Sequence, residues 1–590
     1  MKTRRLSIKF RLVLKKTFIE IKQTRFKDLR NDFFHYLKKI PDIIHLKNMV
    51  LVTGILSGVV LIMFFQRFST LGQYFEKTIP ANGGNYTEGV IGQIDKINPL
   101  FVNNEAEATA NSLVYSGLVK IMPNNKIVPD LAESWTVQDN GKVYLFKLKK
   151  NLKWQDKAQL KADDVRFTIN LIQNPDTRTS LSSIWQNIEV SKVNDNEIKI
   201  TLPNNYNDFL RVASQPILPE HLLKDLDPSS FKISEFNTKP VGSGPYKFVR
   251  FDQTGKETIA VFDANEFAQP HKPFINRVRL RLYDNFNDLY SAVLRKQVNG
   301  ISQIPYSKID DVKKLGSMTV YSQYLPRYKA VFFNLKNELL SKKEIRLALS
   351  KAIDRDKIIN QSLGDKAMPI FAPILPGKEG YNNKLNISQF DLNKANAELD
   401  AAGWISGQNG VRAKDGKKLS FRIVASNDSE GVKTSKIIKD NFKKIGVATD
   451  IIISENDLLQ SDYIRPRNFD LAIVGQNVGA TTDLYSFWHS SQKTDPGLNL
   501  SGLSDRKTDK LIELGRKSND RKYRDDKYRQ AQESIMSEAP AVFLYSPIYS
   551  FAVTKNIKGF NQGRLSNPIE AINDISNWYI YEKIKNKKLL

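Results

Sequence analysis

The residues that could do chemistry are few and scattered along the chain. There is no cysteine, which excludes disulfides, thiolate metal sites and cysteine nucleophiles. The five histidines show no H-E-x-x-H or comparable metal-ligand spacing; they are His35, His45, His221, His271 and His489. Gly242-Ser-Gly244 lacks the G-x-S-x-G order of a nucleophile elbow. The sequence therefore predicts no catalytic residue, no metal site and no cofactor, and a protein that is not an enzyme.

Carboxylates are the remaining chemical candidates. The adjacent pairs Asp163-Asp164 and Asp525-Asp526 stand at predicted helix starts, where acids complement the helix dipole. The chain also lacks a phosphate-binding loop and a complete dinucleotide fingerprint. A peptide hydrolase with dispersed residues is the enzymatic alternative, and no motif points to it.

Basic residues are concentrated at the N-terminus. The net charge is +26, and residues 1–47 hold fourteen Lys and Arg against four acidic residues. Such a basic segment invites a nucleic-acid function. Here it lies directly before an apolar run, so we predict a membrane-orientation signal and no nucleic-acid partner.

An uncharged run extends from Met49 to Phe65, between Lys47 and Arg67. Seventeen residues just span a hydrocarbon core if the flanking cations reach the interface. The sequence predicts an uncleaved transmembrane signal anchor at 48–66. Positive charge favours the cytoplasmic side, so 1–47 is the cytoplasmic tail and the rest faces outwards. A stalk at 67–84 follows, in a single-pass protein of the cell membrane with an extracytoplasmic C-terminal ectodomain.

Beyond the stalk, helix and strand signals alternate, which favours an α/β fold. Patterning predicts strands at Lys142–Lys149 and Phe469–Val474, and helices at Ala162–Ile172 and Arg524–Glu538. Ser341 and Glu344 form a capping-box pattern, which predicts a helix from Ser341 that ends at Gly364.

A series of short motifs resembles the extracellular solute-binding proteins of family 5, the oligopeptide, dipeptide and nickel type of ABC importers. The resemblance covers about residues 85–549 and rests on the order of its motifs. They are Ile97–Pro99, Val114–Leu118, Val128–Trp135, Lys161–Val165, Pro240–Lys247, Ile345–Arg355, Asp391–Trp404 and Ala539–Tyr545.

The resemblance implies a two-lobed α/β periplasmic-binding-protein fold with an extra inserted domain. The N-terminal transmembrane helix predicted from the uncharged run precedes this fold. Lobe I would take 85–118, 236–325 and 545–590. The inserted small domain would take 119–235, and lobe II 326–544. Gly242 and Gly244 would permit a tight chain crossing between the lobes.

The same resemblance implies a cleft between the lobes that closes on a small polar solute and delivers it to ABC permease subunits, which ATPases power. The implied ligand-binding residues lie on the first strand and after the strand 469–474. They are Tyr86, Glu88, Gly89, Gly475, Gln476, Asn477, Gly479, Asp483, Tyr485 and Trp488. We expect a monomeric ectodomain that binds peptides or peptide-like solutes.

One departure from the family pattern concerns the ligand. Peptide-binding members commonly read G-W-x-A-D-Y-x-D-P, with the first Asp pairing the peptide amine. Here Gln476 replaces the Trp and Gly479 replaces that Asp, while Asp483 matches the second Asp if one residue is inserted before it. Losing a charge-assisted hydrogen bond costs about 1.5–3 kcal/mol. Glu88 or Asp483 could substitute. The alternatives are a receptor for a non-peptide solute and a surface sensor without a transporter.

Overall fold

The computed structural model describes residues 44–206, 208–254, 257–385, 387–407 and 409–586. Among the described residues, 44–79 and 583–586 form one compact unit, and Pro80–Glu582 forms another. Positions 1–43 of the predicted basic tail lie outside the described residues.

The first unit contains a helix of 32 residues, Ile44–Phe75. It covers the predicted anchor and runs into the predicted stalk, where the strand Glu76–Ala81 follows. The apolar side chains between Met49 and Met63 are exposed. Within the described part of the chain, no helix is both long enough and apolar enough to pass through a membrane. The anchor at 48–66 stays a prediction.

Mixed α and β elements make up the second unit. Its helices of nine or more residues are Glu105–Val114, Ala162–Gln173, Phe286–Leu294, Lys343–Lys351, Arg355–Leu363, Leu392–Ala401, Ser429–Lys444, Arg506–Lys517 and Arg521–Glu538. Shorter helices include Ser182–Trp185, Phe209–Val212, Glu220–Leu223, Ile309–Lys314 and Tyr485–Trp488.

A twelve-stranded sheet runs through the described residues of this unit. Its strands, in spatial order, are Ala448–Ser454, Ser420–Ser426, Leu471–Asn477, Arg327–Phe333, Ala541–Thr554, Gly300–Ile301, Asn85–Ile91, Arg277–Tyr283, Glu257–Ala264 and Tyr246–Thr254. Met318–Tyr324 and Ala367–Pro369 also pair with Ala541–Thr554.

Ala541–Thr554 joins the two halves of this sheet. Its first residues pair with Arg327–Phe333, and its last residues pair with Met318–Tyr324. The chain crosses a second time at Leu325-Pro326, between those two partner strands. We call the part containing Asn85–Ile91 the first half and the part containing Leu471–Asn477 the second half.

Smaller sheets lie outside this path. Antiparallel strands Ala132–Gln138, Val143–Leu148, Glu197–Thr201 and Glu189–Asn194 form a four-stranded sheet. The other pieces are the pair Val119–Met122 and Lys126–Pro129 and the three strands Ile405–Ser406, Arg412–Lys414 and Lys417–Lys418. The four-stranded sheet falls inside the range predicted for the inserted domain. The domain boundaries themselves stay a prediction.

The predicted helix from Ser341 to Gly364 is wrong in two respects. The structure has two helices there, Lys343–Lys351 and Arg355–Leu363. Ser341 does not cap the first, because its hydroxyl donates to the Glu338 carbonyl at 2.7 Å. Asp354 caps the second by accepting from the Lys357 amide at 2.9 Å, and Gly364 ends it with a left-handed φ of 56°. Asp354, which lies inside the predicted apolar pattern, thus begins a second helix.

Two glycines permit a close approach of two chain segments, but both segments lie in ranges predicted for lobe I and not in different lobes as expected. A Cβ atom on Gly242 would lie 2.0 Å from the carbonyl oxygen of Val114. One on Gly244 would lie 2.6 Å from the amide of Tyr115. Both neighbours are backbone atoms, so only glycine fits there without moving the chain.

Candidate functional site

The strand Arg327–Phe333 positions the candidate site because its alternate residues face opposite sides. Tyr328, Ala330 and Phe332 belong to the buried core of the second half. Tyr328 donates its hydroxyl hydrogen to the Gln476 side-chain oxygen at 2.7 Å. Arg327 lies opposite Asn477 in the antiparallel register with Leu471–Asn477. Arg327 and Asn477 thus share one face of the sheet.

This face borders a cavity of about 460 Å³, which we call the central cavity. The parallel strands Ser420–Ser426 and Leu471–Asn477 end at its wall, where α/β folds commonly bind ligands. Polar side chains line much of it, including Gln303, Arg327, Lys329, Asp428, Glu430 and Asn477.

Most charges of the central cavity are already paired. Lys329 Nζ lies 2.8 Å from a Glu430 carboxylate oxygen. Asp428 accepts hydrogen bonds from the Gly431 amide at 2.7 Å and the Ser426 hydroxyl at 2.6 Å. Burial works to raise the pKa of Asp428, but Lys329 and these donors outweigh it and hold the pKa below its usual value. Asp428 therefore stays ionised, and both carboxylates are engaged in contacts within the protein.

Tyr86 and Glu88 border a different cavity, of about 60 Å³, in the first half. Tyr86 donates its hydroxyl hydrogen to the Glu88 carboxylate, and both side chains are buried. Burial raises the pKa of Glu88 to about 8, although the Tyr86 hydrogen bond acts in the opposite direction. Glu105 and Tyr549 lie on the same cavity wall. Glu88 is thus mostly protonated at neutral pH.

A third cavity, of about 560 Å³, separates residues 183–212 from the second half. The Arg516 guanidinium lies over the rings of Tyr206, at 5.0 Å, and Tyr485, at 4.5 Å. It is 3.6 Å from the Asp483 carboxylate. Nearby, Thr481 donates its hydroxyl hydrogen to Asp208 at 2.6 Å. These contacts hold the region of the four-stranded sheet against the second half.

The structure distributes the ten residues expected to bind ligand over several cavities. Gly475, Gln476 and Asn477 line the central cavity; Asp483 and Tyr485 line the 560 Å³ cavity. Gly479, Asp483 and Trp488 border a pocket of about 20 Å³. Their role in ligand binding stays a prediction.

Several of these side chains have structural roles in the described chain. Trp488 is 1% exposed and packs on Phe332 and Phe543. The Gln476 amide donates to the Leu498 carbonyl at 3.0 Å. At Gly89, a Cβ would lie 2.2 Å from a Leu289 methyl carbon, so a larger residue would have to displace this buried side chain.

Sequence reasoning missed Arg327, Lys329, Asp428 and Glu430. One signal was present, since Asp428 lies two residues after the end of Ser420–Ser426 and caps the next helix. The two basic residues stand in an apolar strand, and their alternation is the sign of a strand with one polar face.

Comparison with known proteins decides the family. The family model described as Bacterial extracellular solute-binding proteins, family 5 Middle, matches residues 126–497. The chain belongs to this family. Family 5 proteins are substrate-binding components of transporters and not enzymes.

Individual relatives agree with this family. The oligopeptide-binding protein AppA of Bacillus subtilis (strain 168) is 29% identical over 513 residues, which cover 85% of this chain and 92% of AppA. The dipeptide-binding protein of Escherichia coli (strain K12) is 23% identical over 500 residues, or 80% of this chain and 90% of that protein.

Solved family 5 structures confirm the two-lobed α/β fold. AppA from Bacillus subtilis in complex with a nonapeptide superimposes with a TM-score of 0.75 at 27% identity, over 85% of this chain and all of AppA. NikZ from Campylobacter jejuni in complex with Ni(L-His) gives 0.73 at 27% identity, over 84% and 99% of the two chains. The two halves joined at Leu325-Pro326 and Ala541–Thr554 are therefore the lobes of a periplasmic-binding-protein fold.

Proposed function

We propose that this protein is the peptide-binding receptor of an ABC importer, tethered to the outer face of the cell membrane and delivering its ligand to a permease. The observation that carries the proposal is the central cavity, which lies at strand ends beside the link between the halves of a family 5 chain. Strand edges and polar side chains suit an extended peptide, whose backbone groups need hydrogen-bond partners.

Closure around the ligand follows from where the contacts lie. A ligand shifts a two-state equilibrium only by its differential affinity for the two states. The central cavity is lined both by Gln303 of the first half and by Asn477 of the second. A peptide that reaches both residues stabilises the closed arrangement.

Native mass spectrometry of the full-length protein in detergent tests ligand capture. We expect short peptides to be retained from a mixed library and to raise the melting temperature. If no peptide is retained and the melting temperature is unchanged, the peptide function is wrong. Retention of another polar solute would favour the non-peptide alternative, for which Gly479 in place of an amine-pairing Asp is the supporting observation.

The tether is tested separately. The proposal rests on the uncharged run 49–65 and the basic segment before it. We expect the full chain to remain in the membrane fraction after alkaline extraction, and external protease to digest residues after 66 in intact cells. A variant lacking 48–66 should be recovered in the soluble fraction after the same extraction. Recovery of the full chain in the soluble fraction would refute the tether.

A further inference from the structure

Arg327 is a cation of the central cavity that forms no ion pair within the described part of the chain. Among the described residues, no ion pair includes its guanidinium, and its buried Nε has no hydrogen-bond partner. The neighbouring Lys329, by contrast, is paired with Glu430 at 2.8 Å. A buried donor without an acceptor costs free energy, and the cost is recovered when an anion accepts from it.

The surroundings of Arg327 favour an anionic group. Asn477 lies opposite it on the same face of the sheet, and its side-chain oxygen already accepts from the Gly479 amide at 3.1 Å. The amide NH₂ of Asn477 and the Gln303 side chain therefore supply further donors at the same wall. Arg327 also lies 6.0 Å over the Tyr549 ring, which fixes the side chain on its other side.

Negative groups facing this site are engaged or separated from it. Burial raises the pKa of Glu105, and the positive charge of Arg327 partly offsets this effect. The two groups nevertheless form no ion pair within 4 Å. Asp428 caps the helix Ser429–Lys444. Glu430 is bound by Lys329 and by the Tyr545 hydroxyl at 2.9 Å.

An ammonium group finds no comparable partner at the positions the family pattern suggests. Gly479 carries no side chain, and Asp483 pairs with Arg516 and accepts from the Tyr485 amide at 3.0 Å. Glu88 is held by the Tyr86 hydroxyl inside another cavity. The free charge of the site is positive.

We infer that Arg327 binds the terminal carboxylate of the peptide, so that the ligand is anchored by its acidic end instead of its amine; this inference rests on the proposed function. A planar guanidinium matches a carboxylate with two parallel hydrogen bonds. Asn477 and Gln303 are positioned to donate to the same group.

Paired peptide libraries, one with free C-terminal acids and one with C-terminal amides, test this inference on the full-length protein. We expect the acids to bind about tenfold or more tightly than the amides, because the lost bonds are charge-assisted. Arg327→Gln should remove the difference by weakening acids alone, and Arg327→Lys should retain part of it. N-terminal acetylation should leave acid binding unchanged.

Two variants serve as controls. Arg250→Gln removes an exposed arginine that pairs with Asp252 and should leave binding unchanged. Glu105→Gln removes the carboxylate that interacts electrostatically with Arg327. Because this carboxylate competes with the ligand for the positive charge, peptide acids should bind at least as tightly as before. Equal binding of acids and amides by the unaltered protein would overturn the carboxylate anchor but not the peptide function. Failure of both libraries would overturn both.

Discussion

Replacing Glu88 by Gln should change how the stability of the protein depends on pH. Glu88 lies on the strand Asn85–Ile91 and is 6% exposed. Burial raises its pKa from 4.5 to about 8, because the charged carboxylate is poorly solvated there. Gln keeps the size of the side chain and can still accept from the Tyr86 hydroxyl, but it does not titrate.

The sign follows from proton binding. Between pH 4.5 and 8 the folded state keeps the Glu88 proton and the unfolded chain has lost it. A raised pKa in the folded state therefore adds stability that is complete below pH 4.5 and lost as the pH rises through 8. At about 1.4 kcal/mol per pH unit, this loss amounts to about 5 kcal/mol over the whole interval.

Urea unfolding at a series of pH values between about 5 and 8.5 measures this effect. The difference in free energy of unfolding between Glu88→Gln and the unaltered protein should grow with pH, in favour of the variant. Glu133→Gln, at an exposed carboxylate paired with Lys147, is the matched control and should show no such slope. Parallel pH profiles for the unaltered protein and Glu88→Gln would refute the reasoning.

Three further substitutions test packing and closure. Gly242→Ala should lower the free energy of unfolding by about 3 kcal/mol in urea titration, because its Cβ would meet a carbonyl oxygen at 2.0 Å, whereas Gly475→Ala, with 3.6 Å of space, should not. Arg346→Met should cost about 3 kcal/mol by the same assay, since the buried guanidinium donates to four backbone carbonyl groups. Thr481→Val removes the hydrogen bond to Asp208, which holds the region of the four-stranded sheet against the second half. Because closure then gains one contact fewer, the peptide Kd measured by calorimetry should rise about threefold, with stability almost unchanged.

Local sequence patterns predicted the strands and helices whose conformation depends on neighbouring residues alone. The strand expected at Lys142–Lys149 is Val143–Leu148, and the helix expected at Ala162–Ile172 is Ala162–Gln173. Alternation and 3.6-residue periodicity carry that information within a short window. The strand expected to end at Val474 continues to Asn477, because pairing with Arg327–Phe333 extends it, and such pairing is not local.

The candidate site could be predicted only in part, for the same reason. The family resemblance implied the segment after the strand 469–474, and the general position of ligands at strand ends also favoured it. Arg327 was missed because its role depends on Asn477, which lies opposite it in the sheet but 150 positions further along the chain. Trp488, which was expected to bind ligand, fills the core beneath the sheet and also borders the 20 Å³ pocket, so its role in ligand binding stays a prediction.

The place of Arg327 in the chain connects ligand recognition with closure. It follows directly after Leu325-Pro326, one of the two places where the chain passes between the lobes. Tyr549, over which it lies, belongs to the second of these, Ala541–Thr554. If Arg327 anchors the peptide as inferred above, the bound carboxylate contacts the link between the lobes and, where it also reaches Gln303, the first lobe as well. Contacts with both lobes favour the closed arrangement by their differential affinity, so the charge that selects the ligand would also stabilise the lobes around it.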